Sequence, residues 1–421
     1  MTTLTPSVVG MRDTELYQHL LGLRQPWNVA NVELNTREHR VDVWVEHPPE
    51  LAWTCPECKE SGPLYDHAEE RVWRHLDSCD FKTFLHARPP RVSCPQHGVR
   101  QVRLPWADPN GRFTLVFERK AIDVLKETDV KGAGNILDLS WDEAWPIMER
   151  AVARGQVAKE RRVLRLLSVD EKAIAKGHTY LTIVCDIEAG TVEYVGDGRK
   201  KESLDPFYQS LSADQLNAIQ AVSMDMWESF ISSTREHVPN ADEKIVFDRF
   251  HIMQHMNDAV DLVRRQERRI LGKKEGEVLV GSKHLWLYAY ENVPAKHRER
   301  FEVLKETNLK TSRAWAIKEN LRELWEYRSP HWAREHWKRW YHWAMSSRLA
   351  PVKQVARMIR NHLTNVLTFV KHRITTATSE GLNAKIQNVK RRAYGFRNPE
   401  HFKTAIFFHC GGLDLYPRAG G

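Results

Sequence analysis

The chain has 421 residues, enough for two to four domains, and its 42% hydrophobic content suffices to fold them. Lys and Arg (63) exceed Asp and Glu (55), leaving a formal net charge of +8 and an isoelectric point near 9.1, which favours a polyanionic partner, nucleic acid before membrane surface. No run of 18 apolar residues occurs, and the start MTTLTPSVVGMRDTELYQHLLGL lacks the charged-then-apolar order of a signal peptide, so no membrane association and a cytoplasmic, nucleoid-associated protein are expected.

Within residues 11–24, Leu16, Leu20 and Leu21 fall at helical spacing, and the alternation of VANVELNTREHRVDVWVE predicts a hairpin over 29–46, so a small α+β unit opens the chain. Six cysteines in so long a protein do not build a disulfide scaffold; Cys185 and Cys410 stand alone, whereas Cys55, Cys58, Cys79 and Cys94 cluster. Cys55 and Cys58 form a CxxC, and RVSCPQHG supplies Cys94 and His97 as a CxxH. Each pair offers two ligand atoms to one tetrahedral ion, so Cys55, Cys58, Cys94 and His97 are expected to hold one structural Zn²⁺ as in a zinc ribbon. A redox CxxC would need a thioredoxin-like βαβ context that the sequence does not show. His67, His75, Cys79 and His86 read as core or surface residues.

Residues 113–155 are helical in pattern. A helix to Leu137, a short turn, and a second helix through Ala153, opened by Ser140 with Glu143 in a capping box, give the order of a helix-turn-helix. Two helices of an ordinary bundle fit the same pattern, and Pro146 lies inside the second.

From residue 163 the pattern turns to strands. A strand ending at Asp170 is followed by a hairpin turning at Ala189 and Gly190, a helix near 204–219, a strand ending at Asp225, and a helix over 227–237. The strand EKIVFDRF and a long helix from His251 to about Leu271 complete the run. This is the element order of a ribonuclease H-like core, in which acids on the first strand and just past the fourth meet at the carboxyl edge of the sheet; Asp170 and Asp225 hold those places. Residues 272–372 read as an all-helical insertion, with Trp315, Trp325, Trp332, Trp337, Trp340 and Trp343 expected as packed anchors rather than base-stacking platforms.

The stretch SEGLNAKIQNVKRRAYGFRN, 379–398, sets the single acid Glu380 before Lys385, Lys390, Arg391, Arg392 and Arg397. As a helix it aligns Glu380, Asn383, Ala384, Gln387 and Asn388 along one face. The plain reading is an exposed basic helix whose first-turn Glu suits the macrodipole. The functional reading is a metal-bound acid with cations reaching for phosphates. Three acids from distant segments are what two-metal phosphoryl transfer requires, because hard oxygen ligands must hold both ions about 4 Å apart.

The blocks SVDEKAIAKGHTYLTIVCD, SMDMWESF, FDRFHIMQHMNDAVDLVRR and SEGLNAKIQNVKRRAYGFRN resemble those of the ISL3 family of bacterial insertion-sequence transposases, a DDE group, and the likeness extends over the ribbon and helix-turn-helix. It implies an enzyme that binds the terminal inverted repeats of its element on double-stranded DNA, cuts there with Mg²⁺, and joins the strand to target DNA. It places two catalytic Mg²⁺, for which Mn²⁺ can substitute, on Asp170, Asp225 and Glu380. Lys385, Lys390, Arg391, Arg392 and Arg397 would meet DNA phosphates, and a homodimer or larger assembly would form on DNA. Asp248 matches a recurrent family position and is expected to brace the sheet. The expected architecture is multidomain α+β and α/β: an α+β domain with the zinc ribbon over 1–107, a helix-turn-helix over 108–160, the first part of the ribonuclease H-like core over 161–271, the helical insertion over 272–372, and the last core helix and tail over 373–421. Two rival classes are a non-catalytic DNA-binding regulator derived from a transposase and a ribonuclease H-like nuclease of other specificity.

Overall fold

A computed structural model describes residues 11–160, 162–174, 179–374 and 377–418, the side chains of Lys273 and Ala377 excepted. The first ten residues of the stretch read for a signal peptide therefore lie outside the described residues. The chain forms two compact units, Met1–Lys159 with Leu413–Gly421, and Glu160–Gly412. No described helix is long and apolar enough to cross a membrane.

The first unit opens with α1 (Asp13–Leu20) and the hairpin β1 (Asn28–Asn35) and β2 (Arg40–Glu46), whose alternation buries Val41, Val43 and Val45. There follow β3 (Trp53–Thr54), β4 (Ser61–Gly62), β5 (Leu64–His67), β6 (Arg71–Arg74), β7 (Lys82–Ala87), β8 (Pro90–Cys94) and β9 (Gly98–Gln101). They assemble as sheets β1-β2-β7-β6, β5-β8-β9 and β3-β4 around Trp27, Trp53, Trp73 and Trp106, with the Trp27 and Trp106 rings edge-on at 4.7 Å.

Three helices come next, α2 (Leu115–Glu127), α3 (Val130–Leu137) and α4 (Trp141–Ala158). Asp138 takes the left-handed conformation (φ 50°) that ends α3, and the backbone N–H and hydroxyl of Ser140 both donate to Glu143 Oε2, at 3.0 and 2.9 Å, to start α4. That helix runs through Pro146 and extends past the expected end at Ala153. The tail beyond Leu413 packs on the same unit. Leu415 is buried, and the Tyr416 hydroxyl accepts from Lys126 Nζ (2.8 Å) while donating to Asp123 Oδ1 (2.6 Å). A Cβ at Gly155 would come within 2.7 Å of Leu413 Cβ, so only glycine lets the tail cross α4 this closely.

In the second unit, β10 (Leu166–Ala173), β11 (Tyr180–Asp186) and β12 (Thr191–Asp197) form an antiparallel meander. It leads to α5 (Lys201–Gln209), α6 (Ala213–Ala218), β13 (Ala221–Met224), α7 (Glu228–His237), α8 (Ala241–Lys244), β14 (Ile245–Phe247) and α9 (Arg249–Glu275), the last broken at Gly272. The sheet order is β12-β11-β10-β13-β14, with β13 and β14 parallel to β10. Two expectations are corrected here. The first strand does not stop at Asp170, because Glu171, Lys172 and Ala173 go on pairing with Thr182, Leu181 and Tyr180. The helix expected near 204–219 is two, because Ser212 Oγ accepts from Gln215 N (3.3 Å) and starts a new one.

Helices α10 (Lys283–Leu287), α11 (Ala295–Glu306), α12 (Lys310–Arg322), α13 (Pro330–Ser346), α14 (Ala350–Asn361) and α15 (Leu363–His372) follow, then α16 (Ala377–Arg392) and α17 (Pro399–Cys410). Strand alternation divides the sheet between two cores. Leu167, Val169 and Val184 face α5, α7 and α9 in a cluster that continues through Trp286, Trp315, Trp325, Trp337 and Trp340. Leu181, Ile183 and Cys185 face Leu382, Ile386, Phe402 and Ile406 of α16 and α17. Four of the six tryptophans read as anchors are thus buried; Trp332 (60%) and Trp343 (39%) are exposed.

Candidate active site and metal centre

The two knuckles of the first unit meet. Cys55 and Cys58 lie in the turn after β3, Cys94 ends β8, and His97 occupies the turn before Gly98, whose positive φ (70°) turns the chain into β9. One ligand atom from each of the four lies within 4.8 Å of the others, with Cys58 Sγ 3.6 Å from Cys94 Sγ and Cys94 Sγ 3.6 Å from His97 Nδ1. Three sulfurs and a ring nitrogen in so small a space fit one tetrahedral Zn²⁺. Burial opposes ionisation of the Cys94 thiol, yet the His97 and Gln96 N–H groups, the His97 ring and Cys58 bring it down to about 6. His97 Nε2 lies 3.6 Å from Glu57, which Arg100 Nε also holds at 2.6 Å, an outer partner that orients the ring. None of the spare candidates joins this group. His86 contacts Asp42 and Glu70, His75 contacts the Thr114 hydroxyl at 2.9 Å, and His67 contacts His47.

The second unit builds its site from sheet register. Val169 pairs with Met224 and Met224 with Phe247, so the next residue of each neighbouring strand is an acid: Asp170, Asp225, Asp248. Parallel strands set about 4.8 Å apart therefore deliver a row of three carboxylates to the carboxyl edge. Helix α16 brings Glu380 to the same place, and all four acids line one cavity of about 520 Å³ with Glu171, Lys172, Trp227, His251, Ser379 and Asn383. Asn383 Nδ2 donates to Asp170 Oδ2 at 2.6 Å, fastening α16 to β10, and Lys172 Nζ donates to the same oxygen at 3.0 Å. His251 Nδ1 lies 3.8 Å from Asp225 Oδ2. Among the described residues only the Cys/His group draws three or more ligand atoms within 4.8 Å of one another, so the acids are spread more widely than a single-ion shell.

Asp248 has two roles in view. Its Oδ1 accepts from Phe250 N (2.8 Å) as the N-cap of α9, and its own N–H bonds Met224 O (3.1 Å), which fits the expected bracing of the sheet. It also faces the cavity, where burial first, and then the charges of Glu380 and Asp170, push its carboxyl above the usual range against the pull of Phe250 N–H and His251. The cations of α16 divide as well. Lys390, half-buried, donates its Nζ to Ala173 O (2.7 Å), whereas Lys385, Arg391, Arg392 and, beyond the helix, Arg397 are exposed, Arg391 also donating to Asn388 Oδ1 (2.6 Å).

A DDE transposase model of the ISL3 type matches residues 167–406, more than half of the chain, taking in the whole acid-lined cavity. The chain belongs to the ISL3 transposase family. Two further models agree: the zinc finger of transposases IS204/IS1001/IS1096/IS1165 over 51–97, and the helix-turn-helix domain of transposase family ISL3 over 102–152. Similar relatives include the transposase for insertion sequence element IS1001 of Bordetella parapertussis, 28% identical over 94% of this chain and 98% of that one. The transposase for insertion sequence element IS1557 of Mycobacterium tuberculosis is 25% identical over 93% and 94%. In this ISL3 transposase the helix face read from the sequence does hold Glu380 and Asn383 together, but spacing alone did not indicate that Asn383 bonds Asp170. Lys172 and His251 were likewise missed; the DRFH block carried His251 in plain view without a partner to give it meaning.

Proposed function

We propose that this ISL3 transposase binds the ends of its insertion sequence through the zinc ribbon and helix-turn-helix, and cuts and joins DNA strands in the acid-lined cavity. The observation that carries this is the row of Asp170 within β10 and Asp225 and Asp248 just past the adjacent parallel strands β13 and β14, with Glu380 lining the same cavity. The sheet order, three antiparallel strands and then two parallel ones with helical crossovers, supports a ribonuclease H-like core over 161–271 that resumes at 373, interrupted by a helical insertion over 272–372, with the tail from Leu413 belonging to the first unit. The zinc-ribbon domain would span 1–107 and the helix-turn-helix 108–160.

Asp170, Asp225 and Glu380 would hold Mg²⁺. The donor chemistry suits it: hard carboxylate oxygens line the cavity together with Lys172, His251 lies beside Asp225, and the buried Ser379 hydroxyl has no hydrogen-bond partner among the described residues. Bound there, Mg²⁺ would acidify the attacking water or 3′ hydroxyl and stabilise the leaving oxygen. Around it, Asn383 and Lys172 orient the Asp170 carboxylate, and Asp248 fixes the start of α9 beside Asp225. Lys385, Arg391, Arg392 and Arg397 would steady flanking phosphates, with the half-buried Lys390 behind them. The two element ends must be processed together, so a dimer or larger assembly on DNA is part of the proposal.

The test is incubation of the purified protein with DNA carrying its element ends and Mg²⁺, beside Asp225→Asn and beside scrambled ends. The reading expects cleavage of native ends by the wild type alone. Normal binding with no cleavage in any divalent metal points instead to the regulator class, and equal cleavage of scrambled ends to a general nuclease.

A further inference from the structure

A second cavity, of about 710 Å³, adjoins the acid-lined one and shares Trp227 as a wall. Its other lining is Tyr180, Asp197, Gly198, Arg199, Lys200, Glu202 and Ser203. Trp227 stands two residues past Asp225, with its backbone N–H on the Asp225 carbonyl (2.7 Å) and its indole N–H on the Arg199 carbonyl (2.8 Å). The Arg199 guanidinium lies over the Trp227 ring at 4.8 Å and over the Tyr180 ring at 4.3 Å, and it also donates to Glu171 Oε1 at 3.3 Å. The three side chains make a stack with a fixed end, and that end, Trp227, keeps 39% of its surface exposed.

Local folding does not explain the tryptophan. Trp227 is the N-cap of α7, a position that Ser, Thr, Asp or Asn would stabilise, and its side chain makes no capping bond. What an exposed indole on a rigid cationic stack offers is a flat surface for another π system. The turn between β12 and α5 brings Arg199 and the exposed Lys200 to the same wall, beside Glu202 and beside Asp197, whose carboxylate is paired with Lys403 at 2.7 Å. The volume lies within the roughly 300–1,000 Å³ of ordinary ligand pockets. Aromatic surface beside cations is how proteins receive single unpaired nucleotides, with the base stacked and the phosphate paired.

The geometry points to this cavity as the seat of one unpaired nucleotide next to the reacting phosphodiester, its base stacked on Trp227 and its phosphate held by Arg199 and Lys200. Pulling that nucleotide out of the duplex opens the strand and presents the adjoining phosphate to the acids. The inference rests on the proposed strand-cutting function.

The experiment uses full-length protein on element-end duplexes carrying 5-iodouracil singly at each position around the cleavage junction, irradiated before any Mg²⁺ is added. One position is expected to crosslink to Trp227, located by mass spectrometry. With Mg²⁺, Trp227→Ala should cut about tenfold or more slowly, Trp227→Phe should stay within about threefold of wild type because it keeps a stacking ring, and an abasic nucleotide at the crosslinking position should restore cutting by Trp227→Ala. No crosslink to Trp227 at any position, or equal cutting by Trp227→Ala and wild type, overturns the inference. Because the crosslink is read without Mg²⁺, a wild type that crosslinks yet never cuts counts against the proposed function and leaves the stacking supported.

Discussion

The bond that ties α16 to the sheet gives a quantitative prediction. Asn383→Ala removes the amide that donates to Asp170 Oδ2 at 2.6 Å while leaving Glu380 and the buried Leu382 and Ile386 in place. A hydrogen bond to a charged acceptor contributes roughly 1.5–3 kcal/mol. The Asp170 side chain is 28% exposed, so water can replace part of the lost partner and the lower half, about 1.5–2 kcal/mol, applies. At about 1.4 kcal/mol per factor of ten, single-turnover cleavage of element-end DNA should slow about 10- to 30-fold. The Mg²⁺ concentration for half-maximal rate should rise, since Asp170 loses its fixed orientation. DNA affinity should be unchanged, and Gln387→Ala on the same helix should cut normally. A rate within twofold of wild type, with an unshifted Mg²⁺ requirement, would refute the claim that this bond positions Asp170.

Metal analysis of Cys58→Ser should show the loss of about one bound zinc, accompanied by weaker end-DNA binding; a full retained equivalent would remove Cys58 from the site. Lys318 is buried beside α10, donating to the carbonyls of Trp286 (2.9 Å), Leu287 (3.2 Å) and Tyr288 (2.7 Å), and burial lowers it to about 8 from 10.5. The unfolded chain then binds the extra proton between those values, so stability relative to Lys318→Met should rise as pH climbs from about 8 to 10.5, read by denaturant unfolding. Lys385→Ala should flatten the salt dependence of DNA binding by about one unit of slope. Lys390→Ala, whose ammonium serves Ala173 O, should instead lower stability and leave that slope nearly intact.

What could be read before the structure was whatever is encoded locally. The Ser140–Glu143 capping box, the Gly190 turn and the spacings within the Cys55–Cys58 and Cys94–His97 pairs each involve a few neighbouring residues, so their pattern survives in one dimension. Asp225 is legible as an acid at a strand end, whereas Asp170 sits inside its strand, because pairing with β11, not apolar content, carries β10 on to Ala173. The place of Glu380 came from family resemblance, since nothing in a basic amphipathic helix says which strand it meets. Contacts across long separations left no trace: Asn383 on Asp170, His251 beside Asp225, and Trp227 on Arg199 each join residues from different elements. The exposed Trp332 and Trp343 show the converse limit, because regular spacing cannot say which turns of a helix are covered.

The strap from Leu413 to Arg418 follows the second unit in sequence yet belongs to the first. A ribosome that halts anywhere in the second unit releases a chain in which the groove over Gly155 is bare and the site filled by Leu415 is vacant. Copies truncated there thus carry an unfinished version of the unit with the zinc ribbon and helix-turn-helix.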